Sequence, residues 1–232
     1  MTDPALFPTL QANLSPDRLR PYIVAEGGDL GRGLRLYTWQ IEVSAAFWGV
    51  LHIVEVGLRN ALHTQLTTRF GQADWWDSPR VHLTRVGQEM VEVAKSSAQK
   101  SAGRNGRQQV PGDVVAALSF GFWSSLTGKG GKNQYETQFW QPALVKAFPN
   151  MPSGTKRGTV NQTLESVRLF RNRVAHHEPI FGRHLAADHA ALLRIAGDID
   201  TDLRRYVTEH SRVPAVLARR ADCVSTGEGS SF

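Results

Sequence analysis

The sequence contains a single cysteine, Cys223, among its 232 residues. One cysteine cannot form a disulfide within the chain and cannot supply a cysteine-based zinc cluster. Both means of stabilising a fold are therefore excluded for one copy of the protein. Scarcity of cysteine suits a reducing compartment, so we expect a cytoplasmic protein.

The sequence also leads us to expect no segment that directs the chain into or across a membrane. The first residues, MTDPALFPTLQANLSPDRLRPY, carry prolines and acidic residues where an export signal needs a basic start and an apolar run. The longest apolar stretch, VSAAFWGVLHIVEVGL, is interrupted by His52 and Glu55. It is shorter than the roughly 20 apolar residues of a membrane span. We expect a soluble protein with no membrane partner.

Alternation of apolar and polar residues with a period of two, the pattern of a half-buried strand, is almost absent, and no internal repeat is visible. Apolar residues recur instead at spacings of three and four, as at Trp39, Val43 and Phe47. Hydrophobic residues make up 41% of the chain, which is enough for a core. The sequence predicts an all-α fold, an antiparallel helical bundle with additional helices.

Helix breakers and caps predict the element boundaries. Ser15 and Pro16 begin a short helix, and Gly71 ends a long one that starts at Leu36. A helix with Pro79 at its first position follows. The other predicted helices cover 111–126, 137–148, 156–177 and 186–210, with a flexible basic loop over 101–109. The predicted parts are an N-terminal extension (1–35), a helical domain (36–212) and a flexible C-terminal tail (213–232).

Positive charge is in excess, with 27 Lys and Arg against 21 Asp and Glu, a net charge of +6 and a pI near 9.8. Such a balance favours phosphate-bearing partners, although a merely soluble surface has the same composition. The run TGKGGKN fails the phosphate-binding P-loop pattern, since no Ser or Thr follows Lys129 or Lys132. We interpret it as a flexible basic loop whose two lysines contact an RNA backbone.

The most unusual stretch is RLFRNRVAHHEPIF, residues 168–181, which places ionisable residues at the end of an apolar helix. At about 100° per residue, Arg171 falls inside the apolar arc, while Asn172 and His176 lie side by side at its edge, near Arg168. Arg173 points almost directly away. A histidine that can exchange protons, an amide that can position it and a guanidinium that suits a phosphate thus share one flank. An internal salt bridge of Arg171 is the structural alternative.

The run R-N-x-x-x-H, read as Arg171, Asn172 and His176, resembles the signature of the HEPN superfamily. Two other segments, YTWQIEVSAAFWGVLHIVEVGLRNAL and LSFGFWSSL, together with VRLFRNRVAHHEPIF, follow the order and spacing of its Abi-like (abortive infection, AbiD/AbiF-type) branch. The likeness spans roughly residues 36–200.

The resemblance implies a metal-independent endoribonuclease of toxin or anti-phage systems, in which two chains bring their R-x(4)-H motifs into one cleft. It implies an RNA substrate, a homodimer, no cofactor and no metal, and an antitoxin or a phage-derived trigger as a further partner. Arg171 would hold the scissile phosphate, His176 would transfer a proton, and Asn172 would orient the histidine or the phosphate. Products would carry a 2′,3′-cyclic phosphate and a 5′-hydroxyl.

Auxiliary roles are open for four further residues. Glu55 and Arg59, with the following Asn60, match the family's E-x(3)-R-N pattern, but they can also form an i, i+4 ion pair of structural value. In the functional interpretation Glu55 approaches Arg171 or His176. On the helical wheel His177 lies beside the apolar arc, which favours a packing role. Arg168 lies at the same edge of the arc as His176.

Two rival interpretations remain open. The chain can be a catalytically inactive HEPN module that binds RNA, nucleotide or a partner protein, because fold alone does not determine activity. It can also be a purely structural helical protein. Stacking of bases on Trp39, Trp48, Trp123 or Trp140 is conceivable, but their helical spacing favours the core.

Overall fold

The computed structural model describes residues 4–230, and all its regular elements are helical. The α-helices are α1 (Phe7–Leu14), α2 (Pro16–Ala25), α3 (Leu30–Phe70), α4 (Arg85–Arg104), α5 (Pro111–Ala117), α6 (Phe120–Ser125), α7 (Arg157–Ala175), α8 (Leu185–Ile199), α9 (Thr201–His210), α10 (Val213–Ala218) and α11 (Arg220–Ser225). Shorter 3₁₀ or π turns cover Pro4–Leu6, Trp75–Asp77, Gly131–Asn133, Glu136–Trp140 and Leu144–Ala147. No strand occurs within residues 4–230, so the prediction of an all-α fold is confirmed.

Contacts divide the chain into two compact units. Unit 1 consists of the described parts of Met1–Leu51, Phe170–Ala190 and Glu209–Phe232, and unit 2 consists of His52–Leu169 and Ala191–Thr208. Both α3 and α7 contribute residues to each unit. The predicted domain limits at residues 35 and 212 do not coincide with these boundaries, and residues 1–3 and 231–232 lie outside the described part of the chain.

Unit 1 has its core along the first half of α3. Trp39, Val43 and Phe47 are fully buried. The ring of Phe47 meets that of Phe170 edge to face, with centroids 4.8 Å apart. The indole N–H of Trp39 donates to the carbonyl oxygen of Val216, 3.0 Å away. The apolar spacing that predicted α3 therefore also defines which of its faces is buried.

The N-terminal residues belong to this core. Ser15 caps α2, because its hydroxyl accepts a hydrogen bond from the backbone N–H of Arg18 at 3.2 Å. Tyr22 on the same helix is fully buried. Gly33 allows α3 to approach α2 closely, since a Cβ at this position would lie 2.9 Å from the Cα of Ile23. The capping prediction is confirmed, and residues 15–35 form a packed part of unit 1.

Residues 213–225, predicted as part of a flexible tail, form α10 and α11. Val216 and Cys223 are buried. The guanidinium of Arg219 pairs with the carboxylate of Glu42 at 2.6 Å. The prediction of a flexible tail rested on the polar sequence after residue 225. It overlooked the apolar residues before it, whose spacing suits two short helices. Flexibility was therefore the wrong expectation for 213–225.

Unit 2 is built around aromatic side chains. Phe122 and Trp123 meet edge to face, with centroids 5.2 Å apart. Trp75 lies 6.2 Å from Phe122 and 6.3 Å from Phe139, measured between ring centroids. Edge-to-face and offset geometries of this kind add to the hydrophobic stabilisation of a core. Most of the tryptophans considered as base-stacking residues, Trp39, Trp123 and Trp140, are thus core residues of their units.

Several predicted helices begin late or are interrupted, and each break occurs at a polar side chain that caps a new helix. The helix expected at Pro79 begins at Arg85, where the Thr84 hydroxyl accepts from the N–H of Gly87 at 3.1 Å. Ser119 separates α5 from α6. Asp200 separates α8 from α9, because its carboxylate accepts from the N–H of Leu203 at 3.0 Å.

By length and composition alone, α3 could cross a membrane. It has 41 residues, and its most apolar window of 18 residues has a mean hydropathy of 1.5. Of that window, 44% is buried inside the protein. Core helices of soluble proteins have the same properties, so the absence of a membrane partner and the cytoplasmic location stay predictions.

Candidate functional site

The last turn of α7 carries the predicted catalytic residues, and its geometry follows from how the helix ends. His177 adopts a left-handed conformation with φ of 56°. Its N–H donates to the carbonyl oxygen of Val174 at 3.2 Å, and the N–H of Glu178 donates to that of Arg173 at 2.8 Å. These paired bonds form a Schellman motif, which satisfies the last carbonyl groups of the helix. The helix therefore stops at Ala175 and not at the predicted His177.

His176 is the last residue to continue the helical turn. Its backbone N–H donates to the carbonyl oxygen of Asn172 at 2.9 Å. The side chain of His176 is exposed. Within residues 4–230, no acidic side chain forms an ion pair with it. The imidazole is thus accessible to a ligand and is not part of an internal salt bridge.

Arg171 and Arg173 face in different directions, as the helical wheel predicts. Arg171 is half-buried, and its guanidinium carbon lies 5.5 Å from the ring centroid of Trp48 on α3. Asn172, beside it, is half-buried. Arg173 is exposed, and its side chain lies 3.8 Å from the carboxylate of Glu178. A cation placed over the face of an indole is attracted to it, which restrains the guanidinium of Arg171.

His177 is not the packing histidine that the wheel suggested. Its side chain is exposed, and its left-handed backbone takes it out of the helical register. The wheel placed it beside the apolar arc only because the helix was extended two residues too far. The guanidinium of Arg18 instead donates to the backbone carbonyl of His177.

Arg168 has structural partners within unit 2. Its guanidinium pairs with the carboxylate of Glu165 at 2.8 Å. The other oxygen of Glu165 accepts from the hydroxyl of Ser124 at 2.7 Å, and Ser124 is fully buried. This chain of contacts fixes α7 to α6, so a stabilising role accounts for Arg168 without any ligand.

The polar stripe on the second half of α3 also belongs to unit 2. Arg59 lies 3.5 Å from the carbonyl oxygen of Ala116, and its Nε is buried without a hydrogen-bond partner in the described chain. One turn later, His63 accepts a hydrogen bond from the indole N–H of Trp75 at 3.2 Å. Burial lowers the pKa of His63, which keeps the imidazole neutral. His63 therefore has a structural partner within unit 2, and a catalytic role for Glu55 or Arg59 stays a prediction.

The basic loop around Lys129 and Lys132 is more ordered than predicted. Gly130 has φ of 69° and packs against Tyr135, whose ring atom lies 2.3 Å from where a Cβ would stand. The Asn133 amide donates to the carbonyl oxygen of Leu83 at 2.8 Å. Both lysines are exposed.

Lys132 borders a polar groove of about 680 Å³ in unit 2, which Arg80, His82 and Arg85 also line. The guanidinium of Arg80 is held by the carbonyl oxygen of Phe70 at 3.0 Å. Arg85 pairs with Glu89 at 2.8 Å. Lys129 does not line this groove. Of the two lysines assigned to RNA, Lys132 is therefore the one in a basic concave surface.

Trp48 is the functional candidate that sequence reasoning undervalued. Its side chain is 46% exposed, whereas Trp39, Trp123 and Trp140 are buried. The sequence contained the signal, because on the wheel Trp48 lies about 140° from Val43 and hence outside the buried arc of α3. Its contact with Arg171 makes it part of the candidate site.

Among the residues that the structure describes, no group of three or more His, Cys, Asp or Glu side chains could hold a metal ion. Comparison of the chain with protein-family models, with curated proteins and with solved structures finds no significant match.

Proposed function

We propose that the protein is a metal-independent endoribonuclease of the HEPN, Abi-like type, in which two chains supply Arg171, Asn172 and His176 to one cleft. The observation that carries the proposal is the exposed imidazole of His176 at the end of α7, on the helical turn that follows Arg171 and Asn172. A purely structural role for His176 would favour burial or an internal acidic partner.

RNA cleavage without a metal requires two proton transfers and a cation. A base removes the proton of a ribose 2′-hydroxyl, and the 2′-oxygen attacks the phosphorus. The bond from phosphorus to the 5′-oxygen breaks, and an acid protonates that oxygen. The products are a 2′,3′-cyclic phosphate and a 5′-hydroxyl. His176 acts as base or acid, Arg171 stabilises the charged phosphorane, and Asn172 orients either the imidazole or the phosphate.

A second chain completes this chemistry in the proposal. One His176 provides one proton-transfer group, and a two-fold axis would bring a second His176 to the same cleft. Leu169, about two turns before His176 and therefore on nearly the same side of α7, is an apolar side chain that is 55% exposed. It is the apolar side chain that we place in the dimer contact.

The biological role that fits this activity is that of a cytoplasmic toxin in anti-phage defence. Uncontrolled RNA cleavage harms the cell that makes it, so an antitoxin or a phage-derived trigger would regulate the dimer. The catalytically inactive alternative is a module that binds RNA, nucleotide or a protein and does not cut RNA.

The test is incubation of the purified protein with total RNA in excess EDTA, followed by mapping of the RNA ends. We expect cyclic phosphate and 5′-hydroxyl termini. His176→Ala should lower the rate by about 10²- to 10⁴-fold, the usual contribution of general acid–base catalysis. Arg173→Ala, on the opposite face of α7, is the matched control and should retain most of the rate. Equal cleavage by wild type and a folded His176→Ala would leave the inactive module as the better account.

A further inference from the structure

A groove of about 560 Å³ lies in unit 1, beside the end of α7. Its wall includes residues of α2, of the first half of α3 and of the α7 terminus: Arg18, Tyr22, Tyr37, Ser44, Trp48 and His177. The volume falls within the range of small-ligand pockets. We propose that this groove binds a nucleobase of the RNA, next to the phosphate that is cut. The proposal rests on the function proposed above and specifies how that site recognises its substrate.

The aromatic side chains of the groove suit a flat ring. Trp48 exposes 46% of its surface, which makes its indole available for stacking. Tyr37 is half-buried and meets Tyr22 edge to face, with centroids 5.0 Å apart. Single-stranded RNA is recognised largely by stacking of unpaired bases on such side chains. A tryptophan exposed in a concave wall can therefore gain contacts from a base that stacks on it.

Tyr22 adds a polar group that lacks a partner. The side chain is fully buried, and within the described chain its hydroxyl has no hydrogen bond. Burial raises the pKa of Tyr22 to about 12, so the hydroxyl keeps its proton near neutral pH. Buried hydroxyls in proteins are normally hydrogen-bonded. A carbonyl oxygen or a ring nitrogen of a base is an acceptor that would satisfy it.

Charge and position connect the groove to the proposed catalytic residues. The ionisable side chains that line it are Arg18, His177 and the two tyrosines, and no carboxylate is among its described lining residues. The guanidinium of Arg171 lies 5.5 Å from the centroid of the Trp48 ring. A base stacked on the exposed part of Trp48 would therefore hold its phosphate beside the arginine that we assign to the scissile phosphate.

The test measures binding without cleavage. The probes are hexanucleotides of A, G, C or U with 2′-O-methyl riboses, which lack the nucleophile, and a matched abasic hexanucleotide. The full chain should bind at least one base series more tightly than the abasic probe. Trp48→Leu should weaken that binding by about 5- to 100-fold, the range of base–aromatic stacking. Tyr22→Phe should weaken it by about 3- to 10-fold, the range of one hydrogen bond.

The control is Tyr206→Leu, which replaces an aromatic side chain of similar exposure, 51%, on α9. It should bind as wild type does. Equal affinity for abasic and base-containing probes, or unchanged affinity in both Trp48→Leu and Tyr22→Phe, would overturn the proposal. Cleavage of natural RNA, measured in parallel, separates the two claims. If wild type cleaves but the groove variants bind normally, only the base site fails. If wild type does not cleave but binding depends on Trp48, the base site stands and the nuclease proposal fails.

Discussion

The two parts of α7 use similar residue types for different purposes. In the part within unit 2, Asn161 donates to the hydroxyl of Thr127 at 3.1 Å, and Arg168 pairs with Glu165 at 2.8 Å. In the part within unit 1, the helix ends in two exposed histidines, His176 and His177, and the backbone of His177 is left-handed. The polar side chains of α7 are thus structural where residues of the same unit bind them. They are candidates for function where they face solvent.

The largest effect on assembly is expected at Leu169, the exposed residue just before the last turns of α7. Leu169→Glu should weaken the homodimer by about 30- to 1000-fold, as expected when an interface hot spot is lost, and cleavage should fall with it. The fold should be retained, since surface substitutions usually change stability little. Sedimentation or light scattering over a dilution series measures the effect.

Val93→Glu is the control for this experiment. Val93 lies on α4 and is 70% exposed, so the same charge is introduced at an exposed apolar position elsewhere in unit 2. It should leave the dimer intact. A Leu169→Glu protein that dimerises and cleaves as wild type does would remove Leu169 from the contact.

Glu165 tests the structural part of the helix. Glu165→Ala removes one partner of Arg168 and of the buried Ser124 hydroxyl. The Ser124 hydroxyl keeps the carbonyl oxygen of Gly121 as a partner at 3.2 Å, so we expect a loss of about 0.5–1.5 kcal/mol in the free energy of unfolding, typical of one hydrogen bond. The cleavage rate per folded molecule should hardly change. Thermal melts beside the rate assay separate the two quantities, and a rate loss without a stability loss would assign Arg168 or Glu165 to the site.

A smaller, pH-dependent effect comes from two histidines, the half-buried His63 and the buried His189. Burial lowers the pKa of His63 and of His189, whose Nε2 lies 2.9 Å from the Ser211 hydroxyl. The unfolded state therefore binds more protons than the folded state below the ordinary histidine pKa of about 6.5. Stability should be level above this pH and should fall as the pH decreases below it. His189→Gln should flatten the pH dependence of the unfolding midpoint, which thermal melts over a series of pH values measure.

The smallest effect is expected at His177. A residue other than glycine in the left-handed conformation costs about 1–2 kcal/mol, part of which glycine recovers. His177→Gly should raise the free energy of unfolding by about 0.5–1 kcal/mol. His177→Ala should not, because alanine has the same backbone strain. Chemical denaturation measures both, and equal stability of the two variants would mean that the cap stores no strain.

These contrasts also show what could be predicted from the sequence. The long helices and the shared flank of Arg171 and His176 followed from periodicity, because residues on one helix have a fixed angular relation. The breaks at Ser119 and Asp200 did not, since a capping side chain competes with a helix that apolar spacing alone would continue. The role of Arg168 depended on Glu165 and Ser124, and Ser124 lies on another element.

Trp48 illustrates a different limit. The helical wheel excluded it from the buried arc of α3, but only the folded chain reveals that it lies beneath the guanidinium of Arg171. His177 is the converse case, because the wheel assigned it a face that the left-handed cap removes. Apolar periodicity predicts the faces of a single helix. It does not predict contacts between helices or the backbone conformation at helix ends.

The most direct test of the central claim is complementation between two inactive variants. Arg171→Ala and His176→Ala are each prepared as folded proteins, mixed, and allowed to exchange subunits before RNA is added in EDTA. In a composite site, the mixed dimer combines the arginine of one chain with the histidine of the other. We predict that cleavage, strongly reduced in each variant alone, recovers in part in the mixture, because the mixed dimer holds one Arg171 and one His176 but lacks the second histidine. Mixed dimers that form and yet remain as inactive as the separate variants would contradict a site built from two chains.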